Sequence, residues 1–156
     1  MAKRKIVQYG DDTLRRVCRP SENITPAVLT LLDDMAETMH AADGVGLAAP
    51  QVGVLRRIAI VEVEPGQLIE LINPKIIARA GEQCGSEGCL SLPDRYGMVK
   101  RPMHVTVRAT DRYGKEFEMS GSELLARAFC HEIDHLDGKL YTDVLIREVS
   151  PDELED

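Results

Sequence analysis

The stretch SGSELLARAFCHEIDHLDG, residues 120–138, decides how the rest of the chain is read. It opens with S-x-x-E at Ser120 and Glu123, the pattern in which two side chains reciprocally satisfy free backbone N–H groups at a helix start. It closes on Asp137-Gly138, and a glycine just past the last turn ends a helix without a Cβ clash. The spacing therefore predicts a helix that begins at Ser120 and carries HEIDH, residues 131–135, in its last turns. A helix turns by about 100° per residue, so His131 and His135 differ by about 40° and share one face a turn apart. That spacing lets two imidazoles reach one metal ion. Glu132 and Asp134 each lie about 80° from the midpoint of the two histidines, so the wheel does not choose a base, although the longer glutamate has the better reach. Cys130 falls about 120° away, towards packing, and Arg127 about 60° off, at the edge of the site.

Working outward, a second helical pattern runs from Pro26 to about Ala42. Val28, Leu29, Leu32, Met35 and Met39 form its apolar stripe, Thr25 can cap it, and proline suits the first helical position. A glycine-rich stretch, GVGLAAPQVG (44–53), follows. Strand-like runs come next: RRIAIVEVE, LIELINPKIIA, HVTVRAT and KEFEM, with TDRYGKE as a hairpin connection between the last two. Strands and helices are segregated along the chain, so the class is α+β.

A chain of 156 residues reads as one domain, 1–156, able to bury about two-thirds of its unfolded surface in one core. A net charge of −7 argues against binding to nucleic acid or anionic membrane by bulk electrostatics, and MAKRK at the start reads as a solvated basic terminus. No stretch approaches the length of an apolar membrane span and no secretory leader is visible, so the expected place of work is the cytoplasm. There the four cysteines, 18, 84, 89 and 130, are expected as thiols available for metal binding, catalysis or packing.

Two histidines need a third ligand. Downstream of His135 there is no histidine or cysteine, and Asp143 has nothing to recommend it. Upstream, EQCGSEGCLSLP offers Cys84 and Cys89, the latter between Gly88 and Leu90 in a strand-like stretch that other backbone approaches closely. A zinc endopeptidase is one reading of H-E-x-x-H, weakened by the missing downstream ligand. A structural zinc module closed by both cysteines and both histidines is another, weakened by the long gap between the pairs and by a chain large enough to do without a metal staple. The G-x-G-x-x-A within 44–49 is not a dinucleotide fingerprint, because a helix precedes it and Pro50 follows.

Three segments together, GVGLAAPQVG (44–53), EGCLSLP (87–93) and HEIDHLDG (131–138), resemble the three signature motifs of the peptide deformylases in order and spacing. The resemblance implies an α+β fold with antiparallel sheets packed around a central metal-binding helix carrying HEIDH. It implies a hydrolase that removes the formyl group from nascent N-formylmethionyl peptides. Cys89, His131 and His135 would hold one divalent metal, Fe2+ in the usual case with Zn2+, Ni2+ or Co2+ as substitutes, and water would take the fourth position. Glu132 would be the acid–base, while the Gln51 amide and the Leu90 backbone N–H would stabilise the oxyanion. An extended peptide would pair with backbone near Gly46 and Gly88, and Leu124 and Ala128 would wall the methionine pocket. Gly44 and Gly53 read as turn residues. The sequence departs from the family at Tyr96, where many members carry an arginine, and that leaves contacts beyond methionine open. The acidic tail SPDELED is poorly suited to rRNA, so no direct nucleic-acid contact and no membrane contact are expected.

Overall fold

The computed structural model describes residues 2–150. Two sheets flank one helix. The larger has five antiparallel strands in the order β1 (Gly46–Ala48), β2 (Ile58–Val61), β3 (Ile69–Ala80), β6 (His104–Thr110) and β7 (Glu116–Ser122). The smaller has three, β4 (Gln83–Cys89), β5 (Leu92–Arg101) and β8 (Leu145–Val149), in the order β4-β5-β8. The α+β expectation, with antiparallel sheets packed around the HEIDH helix, is met.

Strand β2 shows how the core is divided. All four of its residues are buried, and alternate side chains point to opposite faces of a sheet. Ile58 and Ile60 join Val28, Leu31, Leu32, Met35 and Met39 of α1 (Pro26–Ala41). Val61 joins Ala126, Phe129, Cys130 and Ile133 of α2 (Leu124–Leu136), and Ala59 joins Leu136. The five-stranded sheet is thus covered by α1 on one face and α2 on the other. The small sheet contributes its own cluster, in which Leu92 and Val99 pack with Tyr141 and Leu140. No helix among the described residues is long and apolar enough to cross a membrane.

Helix α1 starts as expected, with the Thr25 side chain accepting from the Val28 N–H. Its buried stripe runs through Leu31, and Leu29 is only half-buried at the flank, because 28, 31, 32, 35 and 39 fall closer to one helical face. Helix α2 does not start as expected. Ser120 and Ser122 belong to β7, where pairing with β6 uses their backbone, and the Ser120 hydroxyl bonds that of Thr106. The residue before the helix is Glu123, at φ 57° and ψ −122°, with no side-chain cap. No capping box exists here, since the sheet claims Ser120 first. The helix end is as read: Gly138 takes φ 76°, and a Cβ there would lie 2.5 Å from the Arg15 carbonyl.

The N-terminal arm crosses both halves of the molecule. The Ala2 N–H and Arg4 Nε donate to Asp34 of α1 at 2.8 and 2.9 Å. Further on, the Val7 N–H reaches the Gln51 carbonyl at 2.7 Å and the Tyr9 N–H reaches the Ser91 carbonyl at 2.8 Å. The acidic tail singled out in the sequence lies, from residue 151 onward, outside the described residues.

Candidate metal centre and active site

Three elements meet at the site. Helix α2 supplies His131 and His135 one turn apart, β4 ends on Cys89, and the short 3-10 turn Ala49–Val52 supplies Gln51. One donor atom from each of Cys89, His131 and His135 lies within 4.8 Å of the others, and Cys89 Sγ is 3.3 Å from His135 Nε2. Cys84 is exposed on β4 opposite Lys100 and takes no part in this group, so the four-ligand zinc module is not assembled. Asp143 is engaged by Arg15 and by the Leu140 N–H, and it too is no ligand. Cys130 packs in the core, as the wheel indicated.

A divalent cation fits these residues. A thiolate and two imidazoles are the donor set of soft and borderline divalent metals. His131 Nδ1 is 2.8 Å from Glu87 Oε1, which fixes the proton on Nδ1 in the neutral ring and leaves Nε2 for a metal. Without a cation, burial opposes charge on His131, yet Glu132 and the hydrogen-bonded Cys89 and Glu87 outweigh it and raise its pKa well above the ordinary value. Burial and the neighbouring His131 charge lower that of His135.

Behind the histidines sits a buried ion network absent from the sequence reading. Glu87 accepts from Arg101 Nε at 2.9 Å and Arg127 Nη1 at 2.7 Å, and Arg101 also reaches Asp134 at 2.7 Å. Burial alone would raise the Glu87 carboxyl, but the bonds from His131 and Arg101 hold it well below the usual carboxylate range. Arg127, expected at the edge of the site, is 6% exposed and anchors this network from α2. One signal was available: Glu87 stands two before Cys89, the period that brings side chains to one face of a strand.

Glu132 and Asp134 differ in position. Asp134 is spent on Arg101, while Glu132 lines the cavity, is 5% exposed, and has an Oε1 without a hydrogen-bond partner. Burial pushes its pKa up to about 7. Gly46 packs directly beside it: a Cβ there would stand 2.5 Å from Glu132 Oε2 and would displace that side chain. Gln51 is fully oriented. Its Oε1 accepts from the Ala48 N–H at 3.0 Å, so its Nε2 faces Ser91 Oγ at 3.1 Å and Cys89 Sγ at 3.4 Å. Leu90 lies in the turn between β4 and β5, and Gly44 packs on its side chain.

Cys89, His131, Glu132, Gln51, Leu90, Glu87 and Arg127 line one cavity of about 470 Å³, together with Gly46, Gly88, Leu124, Ala128 and Tyr96. Ala128 is buried and Leu124 half exposed at its wall. Tyr96 lies across Gly88, where a Cβ would come within 2.8 Å of the ring. A desolvated carboxylate next to an open three-donor site is equipped for metal-assisted hydrolysis of a carbonyl compound.

Comparison with known proteins narrows this class. The family model for polypeptide deformylase matches residues 3–150. The peptide deformylase of Acetivibrio thermocellus is 56% identical over 155 residues, covering 99% of this chain and 91% of that protein. That of Lachnoclostridium phytofermentans is 56% identical, covering 96% and 93%. Among solved structures, a peptide deformylase from Legionella pneumophila matches at TM-score 0.89 and 44% identity, covering 97% of this chain and 89% of that one. The Synechococcus elongatus peptide deformylase in complex with actinonin matches at TM-score 0.87 and 36% identity, covering 99% and 87%. Since the likeness in sequence and in fold runs over nearly the full length, this chain belongs to the polypeptide deformylase family.

Proposed function

We propose that this chain removes the N-formyl group from the N-terminal formylmethionine of nascent polypeptides and releases formate. The observation that carries the proposal is Glu132, a buried carboxylate with an unpartnered oxygen, in the cavity lined by Cys89 and His131. Cys89, His131 and His135 hold one divalent metal, ferrous iron, for which zinc, nickel or cobalt can substitute. When bound, the metal supplies Lewis acidity to the attacking water and to the formyl carbonyl.

The protein does the rest. Glu132 takes a proton from water as the new carbon–oxygen bond forms. It delivers that proton to the amine nitrogen as the carbon–nitrogen bond breaks, which yields formate and a free N-terminus. The Gln51 amide and the Leu90 N–H donate to the oxyanion that develops on the formyl oxygen, where loss of one such donor typically costs about 3–4 kcal/mol of barrier. Gly46 and Gly88 leave room for an extended peptide to pair by backbone, and Leu124 and Ala128 face the methionine side chain. The proposed unit is one catalytic domain, 1–156. It works in the cytoplasm on nascent chains, without direct contact to nucleic acid or membrane.

The test is anaerobic purification, metal analysis, and assay of formate release from a formyl-Met peptide beside its acetyl-Met counterpart. One metal per chain and release from the formyl peptide alone are expected. A metal-loaded protein that releases no formate would overturn the proposal.

A further inference from the structure

A second cavity, of about 760 Å³, opens at the start of α1 and shares no lining residue with the cavity of the metal centre. Its charges are lopsided for a chain of net charge −7. Arg4, Arg19 and Arg56 line it, against a single carboxylate, Glu22. Arg4 is spent on Asp34 at 2.9 Å. Arg19 and Arg56 are exposed, and neither guanidinium has a hydrogen bond or ion pair, to Glu22 or to any other described residue. The backbone sets the two side by side. The Arg19 N–H donates to the Leu55 carbonyl and the Arg57 N–H to the Arg19 carbonyl, and the resulting parallel bridge pairs Arg19 with Arg56. Residues paired in this way stand about 5 Å apart at the backbone, and both side chains border the same cavity. Two like charges so held repel, and an anion bound between them relieves the repulsion.

Polar groups without partners complete the cavity. Ser21 lines it, is 7% exposed, and its hydroxyl has no hydrogen-bond partner. Asn73 fixes the Ser21 backbone: its amide oxygen accepts from the Ser21 N–H and its amide nitrogen donates to the Ser21 carbonyl, each at 2.7 Å. At the first turn of α1, Pro26 has no N–H and Thr25 takes that of Val28, which leaves the Ala27 N–H as a free donor. Val28, Leu31 and Val54 add an apolar wall.

We propose that this cavity binds a phosphorylated small molecule of nucleotide size, its phosphate on Arg19 and Arg56 and its ring against Val28, Leu31 and Val54. A phosphate monoester carries a charge of about −1.5 to −2 at neutral pH, so it answers two guanidinium charges at once, where a carboxylate answers one. Guanidinium forks also match phosphate oxygens in pairs. The cavity volume lies within the range of about 300–1,000 Å³ that small-molecule sites occupy, more than a bare phosphate fills. The site is separate from the proposed metal centre and does not depend on the deformylase reading.

The experiment titrates the full-length, zinc-loaded protein with adenosine monophosphate, inorganic phosphate and adenosine, and follows backbone amide shifts by NMR. The monophosphate should saturate with a Kd of about 1 mM or tighter. It should move the amides of Ser21, Asn23 and Ala27 and leave those of Gly88 and Leu90 in place. Inorganic phosphate should move the same amides with several-fold weaker affinity, and adenosine should leave them unmoved. Arg19→Gln and Arg56→Gln should each weaken the monophosphate about two- to fivefold, the two effects multiplying in the double variant, and salt should weaken it in the parent. Arg19→Lys with Arg56→Lys should restore only part of the affinity, because lysine keeps the charge but not the fork. The unfolding midpoint of every variant should stay that of the parent. No saturation in the millimolar range, shifts confined to the metal centre, or binding that survives in the double glutamine variant would overturn the proposal. Equal affinity for phosphate and monophosphate would refute a ligand of nucleotide size.

Discussion

At the scale of single residues, Glu132 and Glu87 are two buried carboxylates in opposite settings. Glu132 has an oxygen without a partner, which suits the proposed acid–base role, whereas Glu87 is saturated by His131, Arg101 and Arg127. Glu132→Gln should therefore keep near-stoichiometric metal and lose most formate release. Metal analysis with a formate assay checks it, and loss of the metal or normal turnover would remove the acid–base role. Glu87→Gln should instead weaken metal affinity by about 10- to 100-fold, because the ring that Glu87 orients loses its partner. It should also destabilise the fold by about 3–5 kcal/mol, since the buried Arg127 guanidinium loses its counter-charge and Arg101 keeps only Asp134. Chelator competition and urea unfolding read the two effects, and parent-like values in both would show the network to be passive. The cysteines separate in the same way. Cys89→Ser should lose metal and activity together, while Cys84→Ser, on the exposed face of β4, should leave both within a few-fold of the parent. Metal loss in the Cys84 variant would point to a different ligand set. His131 and His135 could be read from the sequence as a candidate metal pair because their spacing on one helix is local, whereas only the family resemblance singled out Cys89 from Cys84. The Glu87 network could not, because its partners stand 14 and 40 residues away and only the folded strands bring them together.

At the scale of elements, the sequence marked helix ends better than it marked the small sheet. Thr25 and Ser120 both looked like helix caps, yet only Thr25 is one. Thr25→Ala should cost about 1 kcal/mol, the usual worth of a cap, while Ser120→Ala should stay within about 0.5 kcal/mol as an exposed strand substitution. Denaturant midpoints of the two variants compare them directly, and an equal loss would mean that Ser120 has a capping role after all. The local signal at Ser120 was sound but lost to tertiary pairing, since β6 and β7 stay in register to His104 opposite Ser122. The small sheet went unread for a different reason. QCGSEGC and LPDRYGMVKR contain glycine, proline and charge in place of apolar alternation, and their pairing is supported from outside by α2 and the Leu140–Tyr141 cluster. Such a sheet has no signature of its own.

At the scale of the whole molecule, the N-terminal arm joins parts that no pattern in the residues connects. Its anchor on α1 is Asp34, whose carboxyl is held below its ordinary pKa of 3.8 by the Ala2 N–H first and by Arg4 after it. A group lowered by folding contributes stability above its unfolded pKa and loses it as pH falls through the lowered folded value. The anchor should therefore be fully in place at neutral pH and released only below pH 3.8. Carboxyl-carbon NMR titration of Asp34 should give a midpoint under 3.8, and a midpoint at or above that value would mean that the arm is not held there. Further along, the same arm ties the Gln51 carbonyl to the Ser91 carbonyl through residues only two apart, Val7 and Tyr9. This has a consequence for the order in which the molecule can be completed during its own synthesis. The arm is made first, but its anchors at 34, 51 and 91 are made later. Cys89 in turn waits for histidines made some 40 residues afterwards. A chain stalled on the ribosome before residue 131 holds one of the three proposed ligands, whatever else has folded. Vectorial folding can raise the five-stranded sheet early, but the proposed metal centre closes only after residue 135 has been made.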